Sequence, residues 1–190
     1  MTSRVATKPA VSHDQALSPL ELRKAFGSFT TGVTVVTAVG PDGSPIGITA
    51  NSVTSVSLDP PLLLWCLSNR SSGLAAFGQN APFAVHVLSE RQADIASHFA
   101  KSGRPKFEVD TVWQANPQPP KIADVVTRIE CVVDALHPGG DHTIIVGRVT
   151  GVEMHALPPL AFYASRFGRF HKSAAGGSFE SWGSLEDGWM

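Results

Sequence analysis

Between Gly47 and Leu58 the chain reads GITANSVTSVSL, where Thr49, Asn51, Ser52, Thr54, Ser55 and Ser57 crowd hydroxyls and an amide into a stretch without a charged side chain. Neutral donors and acceptors at this density suit a polar, uncharged, flat heterocycle, whose edge they satisfy without stranding a charge. The same stretch also reads as a Ser/Thr-rich edge strand facing water. Further on, Ser71 and Ser72 stand where a short helical turn should open, so their hydroxyls and backbone N–H groups form either an anion site or an ordinary N-cap. His137 and His142 flank a Gly-rich turn but lack the third and fourth ligands of a zinc site. Cys66 and Cys131 each sit in an apolar, strand-like stretch, which predicts two buried free thiols rather than a disulfide or metal pair.

Residues 1–17 show no periodicity and read as an arm. At Ser18-Pro19-Leu20-Glu21 a serine N-cap, a proline at N1 and a glutamate at N3 open a helix, and Leu22, Ala25, Phe26 and Phe29 follow at helical spacing. The β-branched run from Val33 to Val39 meets a Gly-Pro-Asp-Gly-Ser-Pro turn and pairs with Ile46 to Asn51. Strands follow at Val53 to Leu58 and Leu62 to Leu67, then a helical turn from Ser71 to Phe77 and a strand from Phe83 to Leu88. Ser89 to Gln92 reads as a capping box opening a helix to Ala100. Residues 101–120, with Pro105, Pro117, Pro119 and Pro120, read as a long surface loop. Two longer strands, Val125 to Leu136 and Thr143 to Glu153, close the domain across the turn His137 to His142.

About seven strands, short turns and few helices favour a mainly β, antiparallel Greek-key barrel over a doubly wound sheet. Neither a GxGxxG nor a GxxxxGK[ST] pattern is present. The tail 171–190 is rich in Gly and Ser but holds Phe179, Trp182 and Trp189, and reads either as disordered or as docking these aromatics on a partner subunit. At 190 residues the chain suits one domain, and its light charge leaves surface for self-association, so a homodimer is expected. A net charge of −1, without a basic cluster, speaks against nucleic acid. The start of the chain has no apolar core of signal-peptide type and the run LLLWCL is too short to span a bilayer, so a cytoplasmic protein without membrane attachment is expected.

In this order the pieces resemble the flavin reductase-like family, the small NAD(P)H:flavin oxidoreductases that supply reduced flavin to two-component monooxygenases. The resemblance runs from Leu22 to Phe170 through FGSFTTGVTVVTA, GITANS, SVSLDPPLLLWCL, SNRSSG, FAVHVLSERQADIASHFA, GGDHTIIVGRV and PPLAFYASRFGRF. It implies a split β-barrel that binds FMN or FAD near a homodimer interface, NADH or NADPH as cosubstrate, and a separate oxygenase as recipient. The chemistry implied is hydride transfer from nicotinamide C4 to flavin N5, which requires stacked rings and no nucleophile or metal.

By the same resemblance Thr49, Ala50, Asn51 and Ser52 lie along the isoalloxazine and ribityl chain, Cys66, Leu67 and Ser68 lie against them, and Ser71 and Ser72, with Arg70, meet the flavin phosphate. His98 and Phe99 match a pair that contacts the phosphate-bearing part of the flavin. His142 matches a histidine near flavin and nicotinamide, the candidate catalytic residue, with Asp141 fixing its turn. Tyr163 and Arg166 fall where the nicotinamide nucleotide packs, although Ala164-Ser165 departs from the family pattern. His86 stands where the family commonly has asparagine and is expected to be a satisfied core or interface residue. Two rival readings remain at this point: a flavin carrier or sensor without reductase activity, and an oxidase that holds its flavin permanently.

Overall fold

The computed structural model describes residues 17–101, 106–107, 112–115 and 117–171. The arm and the aromatic tail, apart from Leu17 and His171, lie outside the described residues. Helix α1 (Pro19–Phe26) opens as its capping residues dictate: Ser18 Oγ accepts from the Glu21 N–H at 3.2 Å, and the Glu21 carboxylate accepts from the Ser18 N–H at 3.0 Å. Its apolar face is mostly bare among the described residues. No residue of α1 is buried, and Leu20, Phe26 and, just beyond the helix, Phe29 are 62%, 72% and 77% exposed.

The strands are β1 (Thr31–Gly32), β2 (Thr34–Val39), β3 (Pro45–Ala50), β4 (Thr54–Leu58), β5 (Pro61–Ser68), β6 (Pro82–Val87), β7 (Val112–Ala115), β8 (Gln118–Ile122), β9 (Thr127–Gly139), β10 (His142–Met154), β11 (Leu160–Tyr163) and β12 (Arg166–Arg169). A 3-10 turn spans Leu74–Ala76 and helix α2 spans Ala93–Ala100. Seven strands form one antiparallel sheet in the order β3-β2-β6-β9-β10-β5-β4. β3 and β4 stand at its two ends and share no ladder. The result is a mainly β, split β-barrel. No described helix is long and apolar enough to cross a membrane.

The apolar run of β2 is explained by burial on both faces. Val36 and Ala38 enter one core with Trp65, Phe77, Phe83, Val85, Val133 and Ile145. Val33 and Val35 enter a second core with Leu88, Ala96, Phe99, Ile122 and Leu160, beneath α2 and β8. The aromatic centre of the first core is an edge-to-face pair, Trp65 and Phe77, with ring centroids 4.9 Å apart. In the second, Gly47 is required for close approach, because a Cβ there would collide with the Phe99 ring.

Several elements differ from the sequence expectation. The stretch expected as a long loop contains the β7 and β8 hairpin, a two-stranded sheet. Pro119 and Pro120 are tolerated in β8 because both fall at the register shift between Trp113 and Ala115, outside the paired positions, and the Thr37 hydroxyl donates to the Pro120 carbonyl at 2.7 Å. Helix α2 begins at Ala93, later than the capping box suggested. Ser89 is held extended by its bridge to Pro159, and only half of the box forms, the Ser89 N–H donating to Gln92 Oε1 at 3.0 Å. The helical turn expected from Ser71 is confined to Leu74–Ala76. In the last hairpin the strands run through Gly139 and resume at His142, leaving Gly140 and Asp141 as the turn, with Gly140 at φ +71°.

Candidate active site

A cleft of about 470 Å³ lies across the split of the barrel. One wall is β3 and the segment after it, Ile48 to Ser52; the other is the end of β5, Cys66 to Ser68, continued by Arg70 and Ser71; His142, the first residue of β10, completes it. The sheet order explains the assembly. β3 ends one side of the sheet, β5 and β10 lie near the other, and Asn51 to Val53 bridge the gap into β4. Thr49, Ala50, Asn51, Ser52, Cys66, Leu67, Ser68, Ser71 and His142 are therefore gathered in one place from four separate stretches of chain.

Much of the hydroxyl chemistry of this wall is already engaged. The Thr49 hydroxyl donates to the Ala96 carbonyl at 2.7 Å, tying β3 to α2. Ser52 Oγ accepts from the Cys66 N–H at 3.0 Å and so continues the β4–β5 pairing with a side chain in place of backbone. Thr34 Oγ1 donates to the Ala50 carbonyl at 2.7 Å. Ser68 Oγ accepts from the Arg70 N–H, and Ser71 Oγ from the Gly73 N–H, each at 3.3 Å. These oxygens keep lone pairs for a ligand, while Asn51 is exposed and presents an amide with both donor and acceptor.

The serine-rich stretch of the sequence thus divides in two. Residues 49–52 line the cleft, whereas Thr54, Ser55 and Ser57 belong to β4 and do not line it. The anion site expected at a helix start is not built that way: the turn after Ser72 is a three-residue 3-10 element, the Ser71 N–H is spent on the Ser68 carbonyl at 2.9 Å, and Ser72 is exposed off the wall. What remains for an anion there is the Arg70 guanidinium beside Ser71.

His142 and Asp141 form a pair, Nδ1 to Oδ1 at 2.7 Å. A carboxylate only accepts, so Nδ1 carries the hydrogen and Nε2 is the acceptor of the neutral ring. That hydrogen bond, and then the charge of His142, hold the Asp141 carboxyl below its ordinary range.

Four expected contacts are not brought to the cleft. Phe99 is 1% exposed in the second core, packed edge-on against Phe107 with centroids 5.4 Å apart. His98 is half-buried and its Nε2 meets the Lys106 carbonyl at 3.1 Å. Tyr163 and Arg166 flank the exposed tip of the β11–β12 hairpin, which is fastened to the end of α1 by the Ala164 N–H donating to the Gly27 carbonyl at 2.9 Å. His86 is fully buried, with Nδ1 3.1 Å from the Val35 carbonyl, as a core residue should be. Of the two thiols, Cys131 is buried and its thiol is pushed up to about 12, first by burial and then by Glu130. Cys66 departs from the expectation, being half-buried in the cleft wall.

Two residues of this region escaped the sequence reading. Ile48 supplies an apolar patch of the wall, and its signal was only the alternation of β3. Asn69 bonds the tip of the β9–β10 hairpin across 71 positions of sequence, a relation without local signature.

Comparison with known proteins places this geometry in context. The model of the flavin reductase like domain family matches residues 26–171. The FMN reductase (NADH) SmoA of Agrobacterium fabrum is 47% identical over 151 residues, covering 79% of this chain and 85% of that one. The reductase subunit of stachydrine N-demethylase of Rhizobium meliloti is 39% identical over 174 residues, covering 88% and 76%. Among solved structures, the Streptomyces globisporus NADH:FAD oxidoreductase in complex with NAD and FAD fragments superposes with a TM-score of 0.76 at 40% identity, covering 84% of this chain and 99% of that one.

Proposed function

Since the chain belongs to the flavin reductase-like family, we propose that it oxidises NADH or NADPH, reduces FMN or FAD, and passes the reduced flavin to a separate monooxygenase. The observation that carries this reading is the cleft itself. Its 470 Å³ falls in the range of small-molecule sites, and its wall joins neutral donors and acceptors to one guanidinium, the donor set of a neutral heterocycle bearing a phosphate. When both are bound, the rings supply the chemistry, a hydride passing from nicotinamide C4 to flavin N5.

The residues of the chain bind and orient. Thr49, Ala50, Asn51 and Ser52 face the heterocycle and ribityl chain, with Cys66, Leu67 and Ser68 opposite. Arg70 and Ser71 take the phosphate, the guanidinium as a fork of donors. His142 offers Nε2 to the nicotinamide, with Asp141 fixing its tautomer. The bare apolar residues of α1 support a homodimer. The relative named as the reductase subunit of a demethylase supports a separate enzyme component as recipient.

The test is the loss of absorbance at 340 nm with NADH or NADPH against FMN, FAD or no added flavin. Oxidation that depends on added flavin is the expected result. No oxidation with any pairing would replace the reductase by a carrier or sensor, and yellow protein after exhaustive dialysis would replace it by an oxidase with resident flavin.

A further inference from the structure

His142 cannot hold itself in place. Its partner Asp141 is the neighbouring residue, 92% exposed, and an exposed pair of this kind is worth little on its own. It also sits at a two-residue hairpin turn, where local opening costs least. The strand ladder pairs His142 with Ser68 and Gly139, but the turn before it and the Thr143 side chain after it are both tied down by one further residue. The Asn69 backbone N–H donates to the Asp141 carbonyl at 3.0 Å, its Nδ2 donates to the Gly140 carbonyl at 3.1 Å, and its Oδ1 accepts from the Thr143 hydroxyl at 2.8 Å.

We infer that Asn69 is a positioning residue for His142, clamping residues 140, 141 and 143 so that the imidazole faces the cleft with Nδ1 on Asp141. Each atom of the side chain has a distinct task. Asp in its place retains an acceptor for Thr143 but loses the donor to Gly140, and Ala loses both. An exposed asparagine with no such task would be replaceable without effect.

This inference rests on the nicotinamide role proposed for His142, and its test separates the two. In the full-length protein, the ring nitrogens of His142 are followed by 15N NMR, assigned by difference from His142→Gln. The wild type shows the Nδ1–H form. Asn69→Ala shifts the ring toward a mixture of tautomers, raises the nucleotide KM about ten-fold and leaves flavin affinity within two-fold; Asn69→Asp and Thr143→Val show the same split to a smaller degree. Wild-type ring signals in Asn69→Ala would overturn the inference, as would an equal loss of flavin and nucleotide affinity. If none of the proteins oxidises NAD(P)H, the ring signals still decide the clamp, and the reductase reading alone fails.

Discussion

His86 carries a cost that depends on pH. Its Nδ1 reaches the Val35 carbonyl, its Nε2 finds no partner among the described residues, and burial lowers its pKa to about 4, with Arg128 and Lys121 adding to the fall. The unfolded chain takes up a proton at this residue near pH 6.5, and the folded chain does not until about 4. Stability therefore drops as pH falls through this window, by about 3 kcal/mol in total, and levels off below it. His86→Asn, which keeps a donor but does not titrate, should flatten urea midpoints measured between pH 6.5 and 4; an unchanged slope would mean that another group carries the acid sensitivity. The sequence made His86 legible as a core residue because it interrupts an otherwise apolar strand. Residues 49–52 were legible from their crowding of neutral polar groups, whereas 66–68 and His142 came from the family resemblance. Phe99 lies in the core, as its place on an apolar helix face alone suggests, in the space over Gly47 where β3 packs on α2, and not in the cleft to which the resemblance assigned it.

At the scale of elements, the β11–β12 turn is the least relaxed part of the chain. Ala164 and Ser165 adopt φ of +47° and +64°, where only Gly, and to a lesser extent Asn, sit without strain. Two consecutive positive values are the mark of the hairpin turn whose twist matches its strands, normally filled by Asn-Gly. Replacing Ala164-Ser165 by Asn-Gly should stabilise the protein by ~1–2 kcal/mol and raise Tm by several degrees; a lowered Tm would mean that the turn is held by contacts these side chains make. Hairpins with strong turn residues, such as β2–β3 and β9–β10, could be read directly. The β7–β8 hairpin could not, because four prolines in its neighbourhood argue against strands except where an irregular register leaves them unpaired, as it does Pro119 and Pro120. The start of α2 was misread for a similar reason: the bridge from Ser89 to Pro159 outcompeted a cap that sequence alone would favour.

For the whole molecule, the unfinished part is α1. A helix with a complete capping box and no buried residue gains little burial from the other described residues, yet it carries Leu20 and Phe26, with Phe29 beside it. Together with Met154 at 77% and Phe170 at 58% exposure, these residues need cover. In the homodimer proposed above, the double substitution Phe26→Ser and Phe29→Ser should shift sedimentation from dimer to monomer while retaining the far-UV circular dichroism of the barrel. A variant that still sediments as a dimer would place the interface elsewhere. The barrel class was legible from strand count and turn spacing, whereas its split came from the family resemblance alone, because the failure of β3 and β4 to pair is decided by the whole strand order.

That same split leaves β4 laddered on one side only among the described residues. A free strand margin is a template on which further copies of a protein can stack. Here the margin is five residues long and is broken between Ser55 and Ser57, where Val56 is the extra residue of a bulge. No flat run on this margin is long enough to recruit another strand, so one misfit residue protects β4 from fibrous self-addition.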